Sequence, residues 1–213
     1  MSKKQALTEF HRGSILAAAE RLFAEKGTEK TTMDDIAREA EYSKATLYVY
    51  FQSKEEIINA ILLSGMLLLK KKICEAIEGH SSWLEAYDAV CLSIVRFYNE
   101  NPTAYDAATG ALTPAARGEE APKGVADILR VGQEIDGVLA AFLERGSQEG
   151  MVCAQMPAME TVLLFWAGLA GMVRAAYYRS GYIQDTVGLD RETFLQHGSR
   201  LLLRAMTQPD VQP

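Results

Sequence analysis

Apolar residues recur at helical spacing along nearly the whole chain. Ile15, Ala18, Ala19, Leu22 and Phe23 fall at i, i+3, i+4, i+7 and i+8, one face of a helix predicted over about 10–26. Gly27 follows, where a left-handed residue closes a helix. Thr32 is a cap for a second helix over 32–40, with Asp35 three residues on as a shortened capping box and Ile36, Ala37 and Ala40 as its buried face. Asp34 and Asp35 also complement the positive end of that helix. After a tight turn at Glu41 and Tyr42, Ser43 caps a third helix over 44–51, in which Leu47 and Phe51 share one side. Ser53 and Glu56 complete a capping box for a fourth helix that runs uninterrupted to Glu78, roughly 37 Å, with Gly79 as its stop. Further helices are predicted over 82–99, 102–112, 123–149, 157–179 and 190–207. Breaks fall at Pro102, 114–122, 150–157 and 181–190, and the two Pro and two Gly of 113–124 read as a loop. Runs of β-branched residues are nearly absent, so the predicted fold class is all-α.

Composition narrows the options without naming a chemistry. Of 213 residues, 48% are hydrophobic and 23% charged, an ordinary globular mix that excludes disorder. The net charge of −6 is unevenly spread: residues 1–72 hold 12 Lys and Arg against 10 Asp and Glu, and 73–213 hold 10 against 18. A wholly basic coat is excluded, and a polyanion would have to be met by a local patch in the first third. The apolar stretch 162–173 stops at Arg174, too short for a bilayer, and no apolar run follows Met1. No membrane partner is expected, therefore, and no secretory segment. Cys74, Cys91 and Cys153 are odd in number and lack metal-ligand spacing, which fits a reducing cytoplasm. His11, His80 and His197 stand apart and no Glu-x-x-His pair occurs, so neither a metal nor another cofactor is expected.

Two short helices joined by a turn too tight for an antiparallel hairpin form a helix-turn-helix, whose second helix fits the major groove of DNA. Helical period leaves Lys44, Thr46, Tyr48 and Tyr50 off the core side of the third helix, a cation, a hydroxyl and two phenols suited to phosphates and base edges. Thr31 and Thr32 at one helix N-terminus, Ser43 at the next, and Lys54 at a third add phosphate clamps. A Tyr-rich short helix also serves ordinary packing. Three caps, the short turn and the local positive balance together favour the DNA reading.

Residues 12–58 resemble the N-terminal domain of the TetR (tetracycline-repressor-like) family of bacterial regulators. The matching residues are Arg12, Ile15, Leu16, Ala19, Leu22, Phe23, Gly27, Thr31, Thr32, Asp35, Ile36, Ala37 and Ala40, and then the string SKATLYVYFQSKEE from Ser43 to Glu56. The resemblance implies a homeodomain-like three-helix head over 1–52, followed by a ligand-binding and dimerisation domain over 53–213. It also implies a homodimer, and places Thr32, Lys44, Thr46, Tyr48, Tyr50 and Lys54 at DNA-contact positions. Tyr48 and Lys54 would then touch phosphates, while Lys44 and Thr46 lie nearest the bases. Glu41 and Ala45 stand where the family often has Gly, and Val49 stands where His is common, leaving a contact to a thymine methyl.

In the second domain, Trp83, Tyr87, Phe97, Tyr98, Tyr105 and Trp166 are the candidate lining of a pocket for a small apolar or amphipathic ligand, with ordinary core as the alternative. Ala167, Gly171 and Ala175 recur every four residues and admit a close helix partner; Phe194, Leu201 and Leu202 give the last helix an apolar side. Two helices from each subunit would build a two-fold four-helix interface, or the same residues pack within one chain. The sequence thus reads as a non-enzymatic, ligand-responsive regulator, a repressor released from a near-palindromic operator. The rivals are a helical small-molecule-binding protein, an enzyme using the C-terminal cavity, and an adaptor whose head binds protein.

Overall fold

The computed structural model describes residues 2–101, 124–153 and 156–207. The expected 102–112 helix, the 113–124 loop up to residue 123, and Tyr105 lie outside the described residues. Those described form α1 (Lys3–Lys26), α2 (Met33–Glu39), α3 (Lys44–Tyr50), α4 (Lys54–Glu78), α5 (Trp83–Glu100), α6 (Val125–Gln148), α7 (Ala158–Tyr178), α8 (Ser180–Val187) and α9 (Arg191–Thr207). The structure is all-α, as expected.

Local chemistry accounts for the boundaries. Ser2 and Gln5 make a reciprocal capping box that starts α1 at Lys3, well before the start predicted at about residue 10. Thr32 and Asp35 do the same for α2, and the Ser43 hydroxyl caps α3 by accepting from the Thr46 amide. α2 ends in a Schellman arrangement: the Tyr42 amide donates to the Ala37 carbonyl at 2.9 Å and the Glu41 amide to Arg38 at 3.2 Å. Glu41 therefore takes the left-handed conformation, at φ 60°, that a glycine would fill without strain. The unpredicted helix is α8. Arg179, at φ −121°, bends the chain after α7, and the helix resumes at once through Gly181 until left-handed Gly188 closes it.

Two compact units emerge, one of 2–67 with 101 and 124–130 and one of 68–100 with 131–207 among the described residues. The two units part between Leu67 and Leu68, inside α4. The reason is packing: Ile57 and Ile61 of α4 are buried with Ile15, Ala19 and Phe23 of α1, Ile36 and Ala37 of α2, and Leu47 and Phe51 near α3. Without that first half of α4 the small helices would bury too little apolar surface to stand alone.

The second unit is centred on α5. Trp83, Tyr87, Val90, Ile94 and Phe97 are all at most 2% exposed, and Val162, Leu169 and Val173 of α7 are buried as fully. α7 and α9 pack closely. A methyl on Gly168 would come within 2.9 Å of Leu202, and one on Gly198 would collide with the sulfur of Met172. Leu202, expected at a subunit interface, thus lies in the chain's own α7–α9 seam. Among the described residues α7 is the one helix long and apolar enough to cross a membrane, because only Glu160 and Arg174 interrupt its 21 residues.

Candidate nucleic-acid interface

Packing decides which side of α3 is free. Leu47 and Phe51 are fully buried, and Arg12 anchors the helix end from α1: its guanidinium lies 4.1 Å over the Phe51 ring and donates to the Tyr50 carbonyl at 2.7 Å. The Nδ1 of His11 makes a 2.6 Å hydrogen bond with the Tyr42 hydroxyl, and its ring lies 5.4 Å from that of Tyr50. Four contacts therefore tie α1 to the turn and to the end of α3. What remains outward is a short strip of Lys44, Ala45, Tyr48 and Val49, with Val49 75% exposed and Tyr48 37%.

The expected contact residues divide accordingly. Lys44 and Tyr48 share the exposed strip. Thr31 does not reach it: at 1% exposure, it donates its hydroxyl to the Gly27 carbonyl at 2.8 Å, which fixes the loop before α2. Thr32 is exposed, but its hydroxyl serves the cap, donating to Asp35 at 2.8 Å. Ser43 and Thr46 share a 2.8 Å hydrogen bond between their hydroxyls. Tyr50 is half-buried against His11. Lys54 turns back on its own unit, its ammonium donating to the carbonyls of Thr28 at 2.8 Å and Thr31 at 3.1 Å.

Charge around the strip is organised by two carboxylates. Asp35 accepts from Lys26 at 2.7 Å, from Arg38 at 2.6 Å and from Thr32, and the bonds from Lys26 and then Thr32 hold its acid well below the usual carboxylate range. Asp34 takes Lys44, with its Oδ1 and Oδ2 at 2.8 and 3.1 Å from the ammonium. That hydrogen bond and charge raise the ammonium's pKa, so Lys44 is fully cationic at neutral pH. Spacing alone presents Asp34 only as a complement to the helix dipole. The signal for its pairing is nonetheless in the sequence: opposite charges ten residues apart, across a turn that folds α3 onto the start of α2.

The aromatic candidates of the second unit behave differently from the expected lining. Trp83 stacks on Phe142 at 4.9 Å and on Tyr87 at 5.7 Å, and its indole donates to the Phe142 carbonyl at 2.8 Å. Tyr87 donates to the Ser199 carbonyl at 2.8 Å, and burial pushes its hydroxyl far above the ordinary tyrosine range. Phe97 and Tyr98 are equally buried. Trp166 is half-buried and donates to Asp136 at 3.2 Å. Trp83 and Tyr87, with their polar tips bonded inside the chain, and the buried Phe97 and Tyr98 pack as core. Tyr87 lines an apolar space of about 10 Å³ shared with Val90, Leu139, Phe142, Leu143, Val162 and Phe165 and large enough for one water. A larger cleft of about 300 Å³ lies elsewhere in this unit, between the end of α6 and the start of α7, where Leu143, Val152 and Met156 face Glu144, Ser147 and Gln148. Of the expected interface residues, Ala167, Gly171 and Leu201 are exposed, whereas Ala175, Phe194 and Leu202 are half-buried.

Comparison with known proteins agrees with this architecture. Residues 15–61 match the model of the bacterial regulatory proteins of the tetR family. The chain is 27% identical over 137 residues to the uncharacterised HTH-type transcriptional regulator YhgD of Bacillus subtilis (strain 168), covering 64% of this chain and 67% of that protein. It is 38% identical over 69 residues to YfiR of the same organism, also an uncharacterised HTH-type transcriptional regulator, covering 32% of this chain and 34% of that one. The crystal structure of PfmR, a TetR family transcriptional regulator from Thermus thermophilus, superposes with a TM-score of 0.65 at 25% identity, over 89% of this chain and 97% of the other. The fold and the exposed α3 define a helix-turn-helix protein, similar over residues 15–61 to the bacterial regulatory proteins of the tetR family and over longer stretches to proteins named as transcriptional regulators.

Proposed function

We propose that this regulator is a repressor that works as a homodimer, binds a near-palindromic operator through α3, and leaves it when a small apolar or amphipathic molecule enters the second unit. The observation that carries the reading is the outward strip of Lys44, Ala45, Tyr48 and Val49 on a short helix whose opposite side is locked by Leu47 and Phe51. A cation, a phenol and two small apolar groups supply a guanine or phosphate donor, a phosphate donor and methyl contacts for thymine.

A dimer is supported by the exposed side of α7. Leu163, Leu164, Ala167, Gly171 and Tyr178 follow one another at helical spacing with little cover, and nothing lies within 4 Å of the position a Gly171 side chain would occupy. Leu201, 66% exposed on α9, continues the apolar surface. Two subunits joined there would present two α3 helices about 34–36 Å apart, one turn of duplex. Ligand entry is supported by the cleft of about 300 Å³, which matches the lower range of small-molecule sites and mixes apolar and polar walls as an amphipathic molecule requires.

Selection of binding duplexes from a random-sequence pool tests this function. The expected product is a consensus with two inverted half-sites, bound by the wild type and lost roughly tenfold or more by Tyr48→Ala. Recovery of no enriched sequence would overturn it.

A further inference from the structure

We infer that Asp34 is a specificity-determining residue: it competes with DNA for Lys44, and so makes the head bind G·C-containing sites in preference to duplex in general. The inference rests on the DNA-reading role proposed for α3.

The head carries little general attraction for a polyanion. Residues 1–52 contain eight Lys and Arg and eight Asp and Glu. Lys26 and Arg38 are held by Asp35, Arg21 by Glu39 at 3.0 Å, and Arg12 by a backbone carbonyl. On the outward strip of α3 the cation is Lys44, and it too has an acid, Asp34, on it. Both members are well exposed, at 60% and 62% of their side chains, so the pair is solvated and opens readily.

A phosphate approaching Lys44 meets the Asp34 carboxylate within 3 Å of the ammonium it seeks. Gaining the phosphate means displacing that carboxylate and leaving it, unpaired, beside a negative backbone. Attraction to phosphate is the sequence-independent part of DNA affinity, and this arrangement removes one cation's share of it. A G·C pair treats the two groups differently. Guanine O6 and N7 accept from a lysine, while the cytosine N4 amino group donates to a carboxylate, and the two sit side by side on the major-groove edge. An acid and a base held at hydrogen-bond distance match that donor and acceptor order together, so neither must be abandoned. An A·T pair breaks that order: its amino donor, adenine N6, stands between single acceptors, adenine N7 and thymine O4, so the lysine gains one acceptor where guanine gives it two.

The test compares the wild type with Asp34→Asn and Asp34→Ala on two labelled duplexes: the one the wild type enriches from a random pool, and a scrambled duplex of the same composition. Circular dichroism melting confirms that the variants are folded. Both variants should tighten binding to the scrambled duplex roughly fivefold, with a salt slope steeper by about one, and change affinity for the enriched duplex by less than about twofold. Re-selection with Asp34→Asn should lose a G·C preference at one position in each half-site. Equal shifts on both duplexes, or no shift on either, overturn the inference while leaving DNA reading intact. A wild type that binds neither duplex in a salt-sensitive way overturns the DNA-reading role itself.

Discussion

Gly146 sits directly beneath the indole of Trp83, so closely that a methyl there would lie 2.5 Å from both Cε2 and Nε1. The ring cannot yield, because it is stacked on Phe142 and hydrogen-bonded to that residue's carbonyl. In an open helix Gly→Ala gains about 1 kcal/mol; here overpacking costs typically 1–3 kcal/mol. Gly146→Ala should therefore lower the melting temperature, by about 2–4 °C for each kcal/mol lost in a protein of this size. Thermal unfolding followed by circular dichroism checks the sign.

At Glu41 the sign reverses. A non-glycine residue in the left-handed region costs about 1–2 kcal/mol, against about 0.5–1 kcal/mol of extra chain entropy for glycine. Glu41→Gly should raise stability by up to about 1 kcal/mol without altering the Ala37–Tyr42 hydrogen bond that closes α2. Urea unfolding with an unchanged m-value would report it.

Asp35 carries a pH signature. Its acid is depressed by Lys26 first, then by Thr32, so its contribution to folding is complete above the unfolded carboxylate pKa of about 4 and is lost as pH falls below that value. Asp35→Asn should melt below the wild type at pH 7, and the gap should close towards pH 2. A gap that stayed constant across this range would show that the carboxylate's charge is not what matters.

Lys54 and Lys44 should separate. Lys54 ties the Thr28–Thr31 loop to the start of α4 through two carbonyls, so Lys54→Met should destabilise the head by roughly 1–2 kcal/mol and leave the salt dependence of DNA binding nearly unchanged. Lys44→Ala should do the opposite, leaving the melting temperature within a degree or so and weakening binding to the enriched duplex roughly tenfold.

These contrasts show where sequence was enough. The caps at Thr32, Ser43 and Ser53, the Leu47–Phe51 side of α3 and the uninterrupted α4 follow from local spacing, although at Ser53 only the hydroxyl half of the expected box forms, because the Glu56 carboxylate accepts from the Gln52 amide instead. What spacing could not supply was the direction of individual polar atoms. Thr31 and Lys54 have the residue types of phosphate ligands, but their partners are carbonyls brought near only by the folded loop. The aromatic set of α5 has the composition of a pocket, yet Trp83 and Tyr87 find carbonyls 59 and 112 residues away and become core. Small-residue spacing points to a close approach at Gly171, whereas the close approach within the chain occurs nearby on α7, at Gly168.

In the proposed dimer, two α3 helices read one duplex through Lys44 and Tyr48. Hydroxyl-radical footprinting on the enriched duplex, with methylation interference at guanine N7, tests it most directly. Two protected half-sites centred about 10–10.5 base pairs apart, both weakened by Tyr48→Ala and by Lys44→Ala, are the predicted result. A single protected patch, or a footprint that both substitutions leave unchanged, would contradict the account.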